Sequence, residues 1–94
     1  MQFLNSLAEL FKALGDPTRL KILLQFFSKE ACVSEIAEKL IVSESSISHH
    51  LRILRLNNLI NCRKEGKTRI YYFTEQQVQS IIKGGIEHII QNNN

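Results

Sequence analysis

The sequence lacks most of the features that mark secreted, membrane-spanning or catalytic proteins. It has only two cysteines, so we expect no disulfide framework and favour a reducing, cytoplasmic location. Its apolar runs are too short to cross a membrane, and its start lacks the basic and apolar regions of a secretory signal. Its four glycines form no phosphate-binding motif. His49 and the nearby serines suggest a nucleophile and a base, but no acidic residue that would orient the histidine and no oxyanion loop accompany them, so an enzyme is not expected.

Length and composition predict one small globular domain. The chain has 94 residues, of which 44% are hydrophobic, an ordinary fraction for a folded protein. A domain of this size buries a modest share of its surface, so association with a second copy would stabilise it. We therefore expect residues 1–94 to form a single domain that gains from dimerisation.

Positive charge is concentrated in one part of the chain. The net charge is +3, but the segment from Glu44 to Arg69 carries six cations and two anions, a formal charge of +4. The other residues therefore sum to −1. Such a concentration is expected of a nucleic-acid-binding surface, and a solvated basic face is the alternative.

Apolar periodicity predicts two helices in the first third of the chain. The first, at residues 3–14, has apolar side chains at i, i+4, i+7, i+8 and i+11, and Gly15 is predicted to end it. Asp16 is predicted to cap the second, at residues 17–28, with Pro17 in its first position. The second helix is expected to bury a wide arc of side chains: Leu20, Ile22, Leu23, Leu24, Phe26 and Phe27.

The middle of the chain has the pattern of a helix-turn-helix, at about residues 34–57. Ser34 is predicted to cap a short third helix. A connection of three residues leads to a fourth helix that Ser43 caps and Asn57 and Asn58 close. A short helix, a tight turn and a longer helix are typical of this motif.

A predicted β-hairpin at about residues 59–73 follows, with Gly66 supplying the positive φ of its turn. Thr74 and Gln77 have the spacing of a capping box, which predicts a fifth helix at about residues 75–90. The expected fold is therefore mainly α with a small β-hairpin wing, a winged helix-turn-helix.

The terminal helices, at about residues 3–14 and 75–90, have apolar faces beyond what the core needs. We predict that they pair with a second copy in a two-fold homodimer. Gly84 and Gly85 each cost on the order of 1 kcal/mol of helix propensity relative to alanine. Close approach to a partner helix would explain them, and a kink or early fraying is the alternative.

The fourth helix has a polar face that suits DNA. Ser45, Ser48, His49 and Arg52 follow i, i+3, i+4 and i+7, away from the apolar positions Ile47, Leu51 and Leu54. Hydroxyl, imidazole and guanidinium groups can bond to base edges in a major groove, and no carboxylate accompanies them. We interpret these four as base-contacting residues. Ser46 is interpreted as a phosphate contact or part of the cap, and His50 as support at the edge of the core.

Cations flank the turn of the predicted wing. Contact with DNA phosphates or a minor groove is one interpretation, and a charged edge that resists aggregation is the other. The candidates are Arg63, Lys64, Lys67 and Arg69.

Four runs of sequence resemble the ArsR/SmtB-type bacterial repressors. They are ALGDPTRLKILLQF, VSEIAEKL, SESSISHHLRILRLNNLI and RKEGKTRIYYF, which together cover most of the chain in order. The resemblance implies a winged-helix homodimer that binds double-stranded DNA at an inverted-repeat operator and is released by an effector, often a metal ion. It also implies base contact by Ser45, Ser48 and His49. The alternative function is a winged-helix module that binds protein rather than DNA.

The resemblance also implies two places for a metal, and both differ here. The family's Cys-Val-Cys is Cys32-Val33-Ser34, which lacks one thiolate, and the ligand positions of the fifth helix fall on Glu75, Gln77, His88 and Gln91. Only Cys32, Glu75 and His88 remain as candidate ligands, whereas tight tetrahedral binding needs about four. We therefore predict no specific cofactor and leave a metal ion as an open alternative.

The two cysteines offer a different effector chemistry. Cys32 precedes a helix N-terminus, a position that favours the thiolate, and some members of the resembled family sense oxidants or sulfur species. Cys62 is predicted in a strand beside the wing. Thiol sensing is therefore one hypothesis, and two small side chains without a signalling role are the other.

Overall fold

The computed structural model describes residues 1–93, which form five helices and one two-stranded sheet. The elements are α1 (Gln2–Leu14), α2 (Pro17–Phe26), α3 (Val33–Leu40), α4 (Glu44–Leu56), β1 (Ile60–Glu65), β2 (Thr68–Phe73) and α5 (Gln76–Asn92). This order confirms the predicted winged helix-turn-helix. No helix in these 93 residues is both long enough and apolar enough to cross a membrane.

The core lies between the three middle helices and the start of the wing. Its most deeply buried large side chains are Ile22, Leu23, Ile36, Ile47, Leu51, Leu54, Leu59 and Ile60. The apolar positions predicted for α4 are thus confirmed. The wide arc predicted for α2 is wrong at Leu24, which is 44% exposed, because α2 packs against the core through Ile22, Leu23 and Phe26 instead. The helix also ends at Phe26 rather than near residue 28.

Two of the predicted helix caps are confirmed. The carboxylate of Asp16 accepts a hydrogen bond from the backbone N–H of Arg19 at 2.9 Å, and Pro17 occupies the first helical position of α2. The hydroxyl of Ser43 accepts from the backbone N–H of Ser46 at 3.2 Å and caps α4. These bonds satisfy N–H groups that have no partner within their own helix.

Two other predicted caps are wrong. Cys32, not Ser34, is the residue before α3, and its backbone N–H donates to the carboxylate of Glu35 at 3.0 Å. Thr74 does not begin α5, because its hydroxyl donates to the carbonyl of Asn58 at 2.8 Å. Glu75 precedes α5 instead, without a side-chain cap. At α5 the predicted cap is engaged by a tertiary partner, whereas at α3 a local capping box of Cys32 and Glu35 replaces the predicted one.

The wing is an antiparallel hairpin in which Lys64 lies opposite Arg69 and Cys62 lies opposite Tyr71. Gly66 has a φ of 63°, as predicted for its turn. The free side of β2 is bridged by Ala31, whose backbone exchanges hydrogen bonds with Tyr71 at 2.8 and 3.1 Å. This bridge, which the sequence pattern did not indicate, joins the wing to the segment between α2 and α3.

The terminal helices carry exposed apolar side chains. Those of α1 are Phe3, Leu4, Leu7 and Phe11, and those of α5 are Ile81, Ile86, Ile89 and Ile90. Gly15 follows α1 with a φ of −83°, so it ends the helix without the left-handed conformation that glycine favours. Helix α5 continues through Gly84 and Gly85 to Asn92, so the early fraying considered as an alternative does not occur.

Candidate nucleic-acid interface

The polar face predicted on α4 is present and open to solvent. Ser45, Ser48, His49 and Arg52 are all exposed, on the side of the helix away from buried Ile47. The hydroxyl of Ser45 is 3.3 Å from that of Ser43, the N-cap. Ser46 is half-buried, and its backbone rather than its hydroxyl completes the cap. The exposed face therefore presents hydroxyl, imidazole and guanidinium groups together.

The face is held at the N-terminal half of the second helix of the motif. Residues near the start of such a helix are the ones that reach base edges in a major groove. Ser43 and the αL residue Ile41 fix the turn before it, and α3 packs across the other side of α4. The arrangement can place two hydroxyls and an imidazole against bases and the longer Arg52 against a base or a phosphate.

His50 supports α4 from beneath, as predicted from its position. Its side chain is 16% exposed, and its Nδ1 atom lies 3.3 Å from a guanidinium nitrogen of Arg19 and 3.9 Å from the carboxylate of Asp16. Partial burial lowers the pKa of His50; Asp16 opposes this effect, while Arg19 and the neighbouring imidazole of His49 act in the same direction as burial. Arg19 was not singled out from the sequence, because its partner lies on another helix.

The four wing cations are not equivalent. Lys64 and Arg69 are paired across the strands on one face, and Lys67 lies in the exposed turn. Arg63 lies on the other face, with its guanidinium 2.6 Å from Glu30 and 2.6 Å from Glu65. The hydrogen bond to Glu30 and, to a lesser extent, the hydrogen bond to Glu65 raise the pKa of Arg63.

The two carboxylates make Arg63 less available to DNA than the other wing cations. Its guanidinium also lies over the ring of Tyr72, 5.5 Å from the ring centre. Glu30 stands beside the Ala31 bridge, so the ion pair joins the wing to the body of the domain. Sequence reasoning missed Glu30 because nothing local marks a partner so distant along the chain.

The two cysteines are free thiols, and both are half-buried. Tyr71 on β2 is paired with Cys62 on one side and with Ala31 on the other. Cys62 is therefore two strand spacings, ~10 Å, from the segment that contains Ala31 and Cys32. This exceeds the separation of about 7 Å that a disulfide can bridge. Cys32 has its sulfur 3.2 Å from the hydroxyl of Ser34, and Cys62 accepts from Arg69 at 3.7 Å.

The candidate metal ligands do not come together within one chain. Glu75 precedes α5 and His88 lies in its last third, so about thirteen residues of helix, ~20 Å, separate them. In the part of the chain that the structure describes, no three histidine, cysteine or acidic side chains are grouped around a common point. His88 lies 3.3 Å from the amide of Asn92, one helical turn away.

Comparisons with known proteins agree with this architecture. Residues 16–61 match the model of a family described as "Bacterial regulatory protein, arsR family". The chain is 43% identical over 84 residues to an uncharacterised HTH-type transcriptional regulator of Methanocaldococcus jannaschii, covering 88% of this chain and 94% of that protein. It is 35% identical to a transcriptional repressor SmtB homolog of Synechocystis, covering 90% of this chain and 64% of that longer protein.

Solved structures show the same fold. Reduced HlyU from Vibrio cholerae aligns with a TM-score of 0.79 at 33% identity, covering 87% of this chain and 86% of the other. HlyU of that species is named a transcriptional activator. The similar proteins thus include both repressors and an activator.

Proposed function

The chain belongs to the ArsR family of bacterial regulatory proteins and is a helix-turn-helix transcriptional regulator, and we propose that it is a dimeric repressor of an inverted-repeat operator. We further propose that it works in the cytoplasm and leaves DNA when it meets an effector. The observation that carries the proposal is the exposed face of Ser45, Ser48, His49 and Arg52, which presents hydroxyl, imidazole and guanidinium groups, with the one carboxylate of the helix, Glu44, at its edge. Such a face suits the electronegative major groove and base edges.

The proposed contacts divide into two classes. On α4, Ser45, Ser48, His49 and Arg52 contact bases, and Ser46 lies near the phosphates of the same groove. On the wing, Lys64, Lys67 and Arg69 contact phosphates, which gives affinity without sequence preference. Arg63 contributes chiefly by anchoring the wing, because two carboxylates already neutralise its charge.

The dimer is proposed from the exposed apolar faces of α1 and α5. Two copies related by a two-fold axis would cover these faces and present two copies of α4. The recognition helix, which reads the bases, is α4 in this proposal. Half-sites about one helical turn of DNA apart would match the two copies of α4, so we expect an inverted repeat.

A gel shift or fluorescence anisotropy titration with fragments of the source genome tests the proposal. The proposed repressor binds a discrete fragment, with an affinity that falls steeply as salt rises. Footprinting on that fragment should protect an inverted repeat, and transcription from it in vitro should fall when the protein is added. Equal binding to all fragments, or none, would favour the protein-binding module instead.

A thiol-responsive repressor is the second candidate, and it rests on Cys32. This free thiol stands at the start of α3, which packs directly on α4, so a change at its sulfur can reach the recognition helix. Operator binding measured with and without a peroxide, in wild type and in Cys32→Ser, tests the idea. Oxidant sensitivity that persists unchanged in the serine variant would remove Cys32 from the mechanism.

A further inference from the structure

A polar joint connects the end of α1 with the recognition helix through Arg19. The Nε atom of its guanidinium donates to the carbonyl of Ala13 at 2.7 Å, and a second nitrogen donates to the carbonyl of Lys12 at 3.4 Å. Both carbonyls belong to the last turn of α1; that of Lys12 already accepts from the backbone N–H of Gly15 at 3.2 Å, whereas no further helical N–H is available to that of Ala13. The third nitrogen faces Nδ1 of His50 on α4 at 3.3 Å.

The contact between Arg19 and His50 depends on the protonation of His50. A guanidinium is always charged and has donors only, so the contact is a hydrogen bond when Nδ1 of His50 accepts, that is, when the ring is neutral with its proton on Nε2. Asp16 holds Arg19 from the other side, since its carboxylate accepts from the backbone N–H of that residue at 2.9 Å. The charged or titratable groups that face His50 are thus Arg19 and Asp16 from the start of α2 and His49 on α4.

We propose that Arg19 is a positioning residue for DNA binding, because it joins the dimer helix α1 to His50 and so fixes how α4 is presented. The inference rests on the proposed function, in which α1 contacts the second copy and α4 contacts the operator. In a two-fold dimer the spacing of the two recognition helices depends on the angle between α1 and α4. The guanidinium of Arg19 fixes that angle because it contacts two carbonyls at the end of α1 and the imidazole of His50 on α4.

Acid is expected to open the joint. Protonation of His50 removes the acceptor for Arg19 and places two cations 3.3 Å apart, while Asp16 at 3.9 Å offsets only part of the repulsion. The lowered pKa of His50 keeps the ring neutral near neutral pH, where the joint is complete. Operator affinity should therefore include a component that is lost on acidification and belongs to His50.

The test compares operator affinities by fluorescence anisotropy for the wild type and three variants. Arg19→Lys keeps the charge but loses the fork, and it should weaken operator binding about tenfold at about pH 7.5, the effect of roughly one lost hydrogen bond. Its salt dependence should not change, since no phosphate contact is removed. Lys21→Gln is the matched control on exposed α2 surface and should stay within about twofold of the wild type.

The pH dependence of operator affinity distinguishes a positioning role from a merely structural one, because a structural role would not change it. In His50→Asn the amide oxygen stands close to where Nδ1 accepts, and it does not titrate. This variant should bind like the wild type at about pH 7.5 but should lack the wild type's loss of affinity as pH falls below the ordinary histidine pKa of 6.5.

The outcomes separate the inference from the proposed function. A wild type that binds no DNA fragment selectively overturns the proposed function and the joint with it. A wild type that binds its operator, but whose pH profile is reproduced by His50→Asn, retains the function and overturns the joint. Arg19→Lys that is folded by circular dichroism and binds as tightly as Lys21→Gln also overturns it, and if Arg19→Lys fails to fold, the His50→Asn profile decides.

Discussion

Ile41, in the turn of the helix-turn-helix, has a backbone conformation that β-branched residues rarely adopt. Its φ is 56° and its side chain is 91% exposed, so no packing offsets the strain. The left-handed conformation costs an L-residue ~1–2 kcal/mol, and glycine avoids this at the expense of about 0.5–1 kcal/mol of unfolded-chain entropy. Ile41→Gly should therefore raise the free energy of unfolding, by about 1 kcal/mol in urea titrations at fixed protein concentration.

The control for Ile41→Gly is alanine at the same position. Ile41→Ala removes the exposed side chain but keeps the positive φ, so it should gain less than glycine does. A glycine variant no more stable than the alanine variant would show that the turn is not strained.

The lowered pKa of His50 also predicts how stability depends on pH. The unfolded chain takes up a proton near the ordinary value of 6.5, whereas the folded chain does so only at lower pH. The unfolded state therefore binds more protons between these two values, so stability rises with pH in this window and is lost as pH falls through it. His50→Asn should remove this part of the slope in urea titrations from about pH 5 to pH 8. An identical slope in the variant would mean that other groups cause it.

At the scale of the element, the recognition helix and the wing are expected to respond differently to mutation. His49→Ala should lower the affinity for the operator by about 1–3 kcal/mol and relax the preference at one base position. Lys67→Ala should weaken operator and unrelated DNA alike and reduce the salt slope by about one unit. Competitive binding to operator variants, at several salt concentrations, measures both effects. Intact discrimination in His49→Ala would remove that residue from base contact.

The ion pairs of the wing predict that removing one acidic side chain increases the affinity for DNA. Glu30→Gln deletes one of the two carboxylates that neutralise Arg63, which should free that guanidinium for phosphate. We expect tighter binding to unrelated DNA and a salt slope steeper by up to about one unit. Glu38→Gln, an exposed change of the same charge on α3, is the control for a general electrostatic effect. Equal gains in both variants would show that Arg63 was never withheld from DNA.

Element by element, the sequence allowed the repeating features of the fold to be predicted and missed those made by distant partners. The apolar positions of α4, the caps at Asp16 and Ser43 and the turn at Gly66 are local patterns, and each is confirmed. Ser34 looked like the better cap for α3, but the Ala31 bridge extends the chain up to Cys32, and the helix begins directly after it.

Within the candidate site the same division holds. The exposure of Ser45, Ser48 and His49 follows from helical spacing alone. The restraint of Arg63 by Glu30 and the link from Arg19 to His50 depend on tertiary packing, and no spacing along the chain marks either pair. Local periodicity thus predicted which face of α4 points outward. Only the fold revealed that Arg63 and Arg19 are already bound to other side chains of the same chain.

For the whole molecule, one chain leaves the apolar faces of its terminal helices uncovered. Leu7 on α1 is 45% exposed and Ile89 on α5 is 58% exposed, although both belong to continuous apolar stripes. Burial of such a side chain is worth about 1.5–3 kcal/mol, and a two-fold interface counts each substitution twice. The proposed dimer therefore predicts large effects from single changes on these faces.

Leu7→Glu and Ile89→Glu should each weaken dimerisation by at least about a hundredfold, as two charges replace two buried side chains. Sedimentation equilibrium measures the association, and circular dichroism should show that the helices remain. Leu24→Glu is the matched control, since Leu24 on α2 is 44% exposed and lies outside the proposed interface. Operator affinity should fall with dimerisation in the first two variants, because one copy of α4 reaches only one half-site. Dimers that survive both changes, or that dissociate in the Leu24 variant, would place the interface elsewhere on the molecule.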